Sequence, residues 1–140
     1  MSIKKLNPYL HFNGTAEQAI KLYESALGAR TADLMRYGDV AEMKIADEHK
    51  SRIMHSLLRI GDAEFMVGDA WPGRPFVSEG NVEVCLHFDD PADMAKKFEA
   101  LAEGGKITMP LDDTFWGARF GALTDAHGIQ WMFNCDLKKG

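Results

Sequence analysis

Residues 8–29, PYLHFNGTAEQAIKLYESALGA, place a short apolar segment, a turn and an amphipathic segment in one unbroken stretch. The first part, LNPYLHF at 6–12, is too short and too aromatic for a helix and predicts a strand. Thr15 is positioned to cap a helix, and Gln18 three residues on completes a capping-box pattern. Ala16, Ala19, Ile20, Tyr23, Ala26 and Leu27 then recur at helical spacing, with Glu17, Lys21 and Glu24 on the other side. Gly28 stands where a helix ends. A strand over 30–37, a polar loop over 39–51 and a strand over 53–60 follow; Gly61-Asp62 turns the chain back into a strand over 64–67. Residues 69–80 have the Pro and Gly density of a long loop.

The same order then starts again. Residues 82–88 predict a strand with Val82, Val84, Leu86 and Phe88 on one face and Glu83, Cys85 and His87 on the other. Asp90-Pro91 opens a helix whose apolar positions are Met94, Ala95, Phe98, Leu101 and Ala102, and Gly104-Gly105 closes it. A strand over 106–111 leads to FWGARFGALTDAHGIQWMFN at 115–134, two strands joined at Asp125–Gly128. Strand, helix and three strands thus occur twice, offset by about 75 residues. The expected fold class is α+β, built from paired βαβββ modules. We expect a single domain over 1–140, with module one at about 6–70, a loop at about 69–80 and module two at about 81–136.

Composition narrows the function. Of 140 residues, 46% are hydrophobic and 26% charged, values of a globular chain rather than a disordered one. The net charge of −5 and the lack of any Lys/Arg run longer than a pair argue against a nucleic-acid partner. No apolar run approaches the roughly 18 residues of a membrane span, and no signal peptide is visible, so no membrane partner and a cytoplasmic location are expected. Cys85 and Cys135 stand singly, without metal or redox spacing, and read as buried free thiols.

Three stretches carry a family resemblance: PYLHFNGTAEQAIKLYESALGA, then GDAEFMVGDAWP at 61–72, then FWGARFGALTDAHGIQWMFN. Together they resemble the PhnB-like proteins of the glyoxalase/bleomycin-resistance/dioxygenase (vicinal oxygen chelate) superfamily. Similar sequences also carry the label 3-demethylubiquinone-9 3-methyltransferase, although no Gly-rich loop with a downstream acid is present to hold a methyl-donor cofactor. The resemblance implies strands curled into a cup with helices outside and ligand inside, and a homodimer. It also implies a metal set, one His or Glu on the first and last strand of each module. Those positions fall on Pro8, Glu83, Phe65 or Met66, and Met132. One carboxylate is short of the three or four ligands a divalent ion needs, so no metal cofactor is expected.

Strand alternation names the candidate ligand-binding residues. Glu83, Cys85 and His87 line the cup if Val84, Leu86 and Phe88 pack under the helix. Gln130, Met132 and Asn134 line it from the last strand, while Trp131 and Phe133 belong to the core. His55 and Arg59 alternate with Leu58 and Ile60 and so face the cup, and His55 is the first choice for an acid/base role. His11 is expected to pack near the first helix. His49 is expected to be solvated, and His127 to be exposed in its turn. The resemblance implies that the FWGARFG segment lies against the cup, so Trp116 and Arg119 are expected to touch ligand, Arg119 as partner to an anionic group unless one of the 21 acids engages it. The expected function is small-molecule binding of the bleomycin-resistance kind. The alternative is an enzyme of the superfamily, a lyase, isomerase or dioxygenase, using a divalent metal held by Glu83, His87 and His55 or using His55 alone. In the long loop, Trp71, Phe76 and Val77 are expected to meet a partner surface or fold back on their own sheet.

Overall fold

The structure, a computed structural model, describes residues 3, 5–73, 76 and 82–137. The chain divides into two compact units, Met1–Ser78 and Glu79–Gly140. In the first, β1 (Tyr9–Phe12), α1 (Ala16–Leu27), β2 (Arg30–Arg36), β3 (Ile53–Ile60) and β4 (Ala63–Asp69) follow one another. The second repeats the order with β5 (Val84–Phe88), α2 (Pro91–Ala102), β6 (Lys106–Asp113), β7 (Ala118–Thr124) and β8 (Gln130–Asp136). The sheets have matching strand orders, β1-β4-β3-β2 and β5-β8-β7-β6. In each, the first strand runs parallel to the last and the other pairs are antiparallel. This is the α+β fold of two βαβββ modules that the repeat predicts.

Each helix packs on one face of its own sheet. All six apolar positions of α1 named from helical spacing are buried, against Leu10, Phe12, Leu58, Phe65 and Val67 of the sheet's helix-facing side. Tyr23 meets Phe65 edge-on at 5.9 Å. In the second module Met94, Phe98 and Leu101 of α2 are buried, together with Leu123, Trp131, Phe133 and Cys135. Phe133 lies between Phe88, stacked at 5.3 Å, and Phe98, edge-on at 5.1 Å. Burying each such side chain contributes about 1.5–3 kcal/mol, so these faces are where the sheets are anchored.

Several expectations are corrected. Strand β5 begins at Val84, and Val82 is exposed outside it. The 39–51 loop contains three short 3-10 turns, centred on residues 38, 42 and 48. Cys135 is buried but Cys85 is exposed, because alternation puts Cys85 on the face away from α2. Trp71 folds back edge-on to Tyr37 of its own module at 5.5 Å. Phe76 is half-buried, while Val77 and Gly80 lie outside the described residues.

The N-terminus of α1 is the most informative correction. Thr15 makes no side-chain cap. Asp69, at the far end of β4, does the work: Oδ1 accepts from the backbone N–H groups of Gly14 at 2.7 Å and Ala16 at 3.0 Å. Its Oδ2 accepts from Ile53 N–H at the start of β3, at 2.9 Å. A buried carboxylate with three donors is satisfied, and hydrogen bonds to charged groups are the stronger kind. Asp69→Ala leaves three N–H groups without this acceptor and is expected to cost about 3–5 kcal/mol. Asp69→Asn keeps the shape but sets an amide N–H against a donor, for a smaller loss of about 1–3 kcal/mol. Urea midpoints of the two variants check both; an unchanged midpoint for Asp69→Ala contradicts the assignment.

Candidate functional site

The face of each sheet turned away from its helix carries the side chains with chemistry. In module one, register places Tyr9 beside Met66, and Met66 beside Leu57. Tyr9 is the centre of this face. Its ring stacks on His11 with centroids 4.3 Å apart and planes 11° from parallel, and meets His55 edge-on at 5.8 Å. Its hydroxyl donates to the Met54 carbonyl oxygen at 3.2 Å and lies 3.3 Å from His55 Nδ1. Partial burial, and then the Tyr37 phenol, raise the Tyr9 pKa, while burial lowers that of His11. Tyr9 thus remains a neutral hydrogen-bonding phenol.

His11 corrects the sequence reading, which set it near the first helix. Leu10 and Phe12 fill that side, so alternation turns His11 to the open face, where it is exposed. His55 lies where expected, opposite in alternation to the buried Leu58. Arg59 follows it, but its Nε donates to Glu64 Oε2 at 2.9 Å. Lys5 pairs with the same carboxylate, and these two hydrogen bonds hold the Glu64 pKa down.

In module two, Cys85 pairs with Met132 and His87 with Asn134 across the parallel β5–β8 ladder. Phe120 and Ala122 of β7 continue the face beside Asn134 and Met132. Asn134 Nδ2 lies 3.4 Å from His87 Nδ1, a contact in which the amide N–H is the donor. Glu83 is exposed just before β5, in the same alternation as Cys85. Partial burial, and then the Glu83 carboxylate, push the Cys85 thiol up, which keeps it a poor nucleophile. Trp116 projects from the β6–β7 turn, 59% exposed, and meets Phe120 edge-on at 6.5 Å.

Arg119 is placed differently from the expectation. It pairs with Cys135, a fully buried residue of the helix-facing side, so it shares neither face nor direction with Met132 and Asn134. Its Nε donates to Asp113 Oδ1 at 2.8 Å, and that hydrogen bond raises the guanidinium pKa further. The acid engages it first. His127 is half-buried in its turn rather than exposed; its backbone N–H donates to Asp125 Oδ1 at 2.8 Å. His49 is half-buried in a 3-10 turn, 3.6 Å from Glu48.

The four positions implied for metal ligands can now be read from geometry. Pro8 precedes β1 in the alternation of Leu10 and Phe12, so Tyr9 is the open-face residue there. Phe65 packs on Tyr23 under the helix, which leaves Met66 on the open face. Met132 is on the open face as expected, and Glu83 supplies the only carboxylate of the four. A phenol, two thioethers and one carboxylate do not match the His and carboxylate set of a divalent site. His55 belongs to the first module, and Glu83 and His87 to the second. Among the described residues no group of three or more His, Cys, Asp or Glu side chains is arranged to hold a metal ion.

Two residues central to the first module, Tyr9 on its open face and Asp69 in its core, escape the sequence reading. Tyr9 shows no motif of its own, and only the strand's alternation distinguishes it from Pro8. Asp69 acts across 53 residues of chain on Ala16, a pairing no local pattern reveals. No described helix is long and apolar enough to cross a membrane.

Comparison with known proteins agrees with this architecture. A crystal structure of protein PA1353 from Pseudomonas aeruginosa superposes with a TM-score of 0.87 at 37% identity, covering 97% of this chain and 100% of that one. The PhnB protein of Bacillus cereus shares the fold at a TM-score of 0.76 and 23% identity, over 94% of this chain and 99% of its own. Protein YjdN of Escherichia coli (strain K12) is 30% identical over 141 residues, 92% of this chain and 93% of the relative. The family model that matches spans residues 5–133. The paired βαβββ modules and this match along nearly the whole sequence make the chain a member of the Glyoxalase/Bleomycin resistance protein/Dioxygenase superfamily.

Proposed function

We propose that the protein binds a small organic molecule on the open faces of its sheets and uses no divalent metal at the superfamily position. The observation that carries this reading is the chemistry of the implied positions: Tyr9 and Met66 in the first module and Met132 in the second leave Glu83 as the one carboxylate where the superfamily set has a His or carboxylate at each. Thioethers are soft and weak ligands for the ions such sites hold, but they are adaptable apolar surface for a ligand. In the first module the flat rings of Tyr9 and His11 stand by Met66, and His55 adds a polar group. In the second, Phe120, with Trp116 beside it, shares the face of Met132, and His87 and Asn134 add polar groups. Apolar surface with a few placed polar groups is the make-up of a small-molecule site. Arg119 is no part of this reading, since Asp113 engages it on the other side of the sheet.

A bound metal stabilises the folded state by mass action, about 2.7 kcal/mol at a hundredfold excess over its dissociation constant. After EDTA treatment and dialysis, Mn²⁺, Ni²⁺ and Zn²⁺ are therefore expected to leave the melting temperature unchanged. Stoichiometric metal that survives dialysis, and is lost in Glu83→Ala, contradicts the metal-free reading.

The same reading includes a homodimer. Strands β2 and β6 each form a sheet edge, and nearly all their side chains are exposed. Among them are Leu34, Met35, Ile107 and Met109. An exposed strand edge with apolar side chains is a surface that proteins cover. Sedimentation equilibrium at micromolar concentration is expected to return twice the chain mass. A value of 15.6 kDa contradicts the dimer.

A further inference from the structure

The Tyr9 hydroxyl stands between two partners, the Met54 carbonyl oxygen at 3.2 Å and His55 Nδ1 at 3.3 Å. A phenol has one proton to give, and a carbonyl oxygen can only accept. With the proton directed to Met54, the phenol oxygen is left as an acceptor, and the group that can donate to it is an Nδ1–H of His55. A neutral imidazole carries one such proton, so His55 Nε2 is bare. This is the reverse of the arrangement a free histidine side chain prefers. Among the described residues Nε2 has no hydrogen-bond partner, and it is not one of the buried atoms left without one. It therefore meets solvent on the open face.

The close approach of these groups depends on a missing side chain. A Cβ at Gly68 would lie 3.0 Å from the Met54 carbonyl oxygen and 3.1 Å from the Tyr9 hydroxyl oxygen. Both distances are too short for a relaxed contact. Beside the bare nitrogen lies a flat pair of rings, Tyr9 and His11, stacked at 4.3 Å.

We propose that Tyr9, seated by Gly68, is a positioning residue that holds His55 in its Nδ1–H tautomer, so that Nε2 accepts a hydrogen bond from a planar ligand bearing an O–H or N–H donor. This deepens the small-molecule reading and rests on it for the ligand, though not for the tautomer. A carboxylate or phosphonate oxygen has no proton to offer and would face the nitrogen lone pair. The site thus favours a neutral aromatic of the phenol class over an anion.

The tautomer is measured on ligand-free, ¹⁵N-labelled protein by long-range ¹H–¹⁵N correlation of the imidazoles, at a pH of about 8 where an ordinary histidine is neutral. Wild type is expected to show a protonated Nδ1 and a bare Nε2 at His55. Tyr9→Phe, which keeps the ring and removes only the hydroxyl, is expected to switch His55 to Nε2–H and leave the His127 signals in place. Gly68→Ala is expected to do the same through displacement of the hydroxyl; Tyr9→Phe decides the matter should Gly68→Ala fail to fold. An Nε2–H signal in wild type, or a tautomer unchanged in Tyr9→Phe, overturns the positioning role. Titrated phenol is then expected to move the wild-type His55 Nε2 resonance, at least several-fold more weakly in Tyr9→Phe, while benzoate does not. The expected tautomer with no response to phenol overturns the ligand class and leaves the positioning role standing.

Discussion

A carboxylate removed from water must find its hydrogen-bond donors inside the protein, and Asp69 finds three, two at the entry to α1 and one at the start of β3. With 3% of its surface exposed, it ties the loop before α1, the first turn of α1 and the start of β3 to the end of β4. Its own carbonyl oxygen accepts from the Tyr37 hydroxyl at 3.0 Å, which brings in the segment after β2. The core of module one can close over α1 only with these polar groups paired, because an unpaired buried N–H costs about 1–3 kcal/mol. Asp125 meets the same requirement in module two by a more local route. It takes the backbone N–H groups of His127 and Ile129 and the indole N–H of the buried Trp131. The sheets share a strand order, yet each satisfies its buried acid differently.

This constraint also decides what remains for function. Side chains alternate along a strand, so fixing Leu10, Phe12, Leu58 and Val67 under α1 fixes Tyr9, His11, His55 and Met66 on the other side. In module two the burial of Trp131, Phe133 and Cys135 turns Met132 and Asn134 to the open face and carries Arg119 away from it. The faces offer rings, thioethers and a few oriented polar atoms. A scaffold that hosts many chemistries does not choose among them; the side chains on these faces do.

Much of this was legible in the sequence. Helical spacing named every buried residue of α1, the repeat gave the module order, and alternation sets His55, His87, Met132 and Asn134 on the side of their strands away from the buried residues. The errors have physical causes. Thr15 looked like a helix cap because local pattern cannot show that Asp69 supplies the acceptor from 53 residues away. His11 cannot pack beside α1 because its neighbours Leu10 and Phe12 already fill that side. The resemblance points Arg119 at the ligand, but alternation sets it opposite to Met132, and Asp113 engages it across the hairpin. Tyr9 escapes a motif-based reading because a one-residue shift in strand alignment exchanges the two faces.

The claim that the helix-facing sides are core and the open faces are the ligand surface is tested most directly with methionine methyl groups as reporters. Met66 and Met132 lie on the open faces, and Met94 of α2 is fully buried against its sheet. In protein labelled at the methionine methyls, a set of small aromatic fragments is titrated and the NMR shifts of the three methyls are followed. Binding fragments are predicted to move Met66 or Met132 and leave Met94 unchanged. Fragments that bind while both open-face methyls stay still, or that move Met94 alone, would contradict the account.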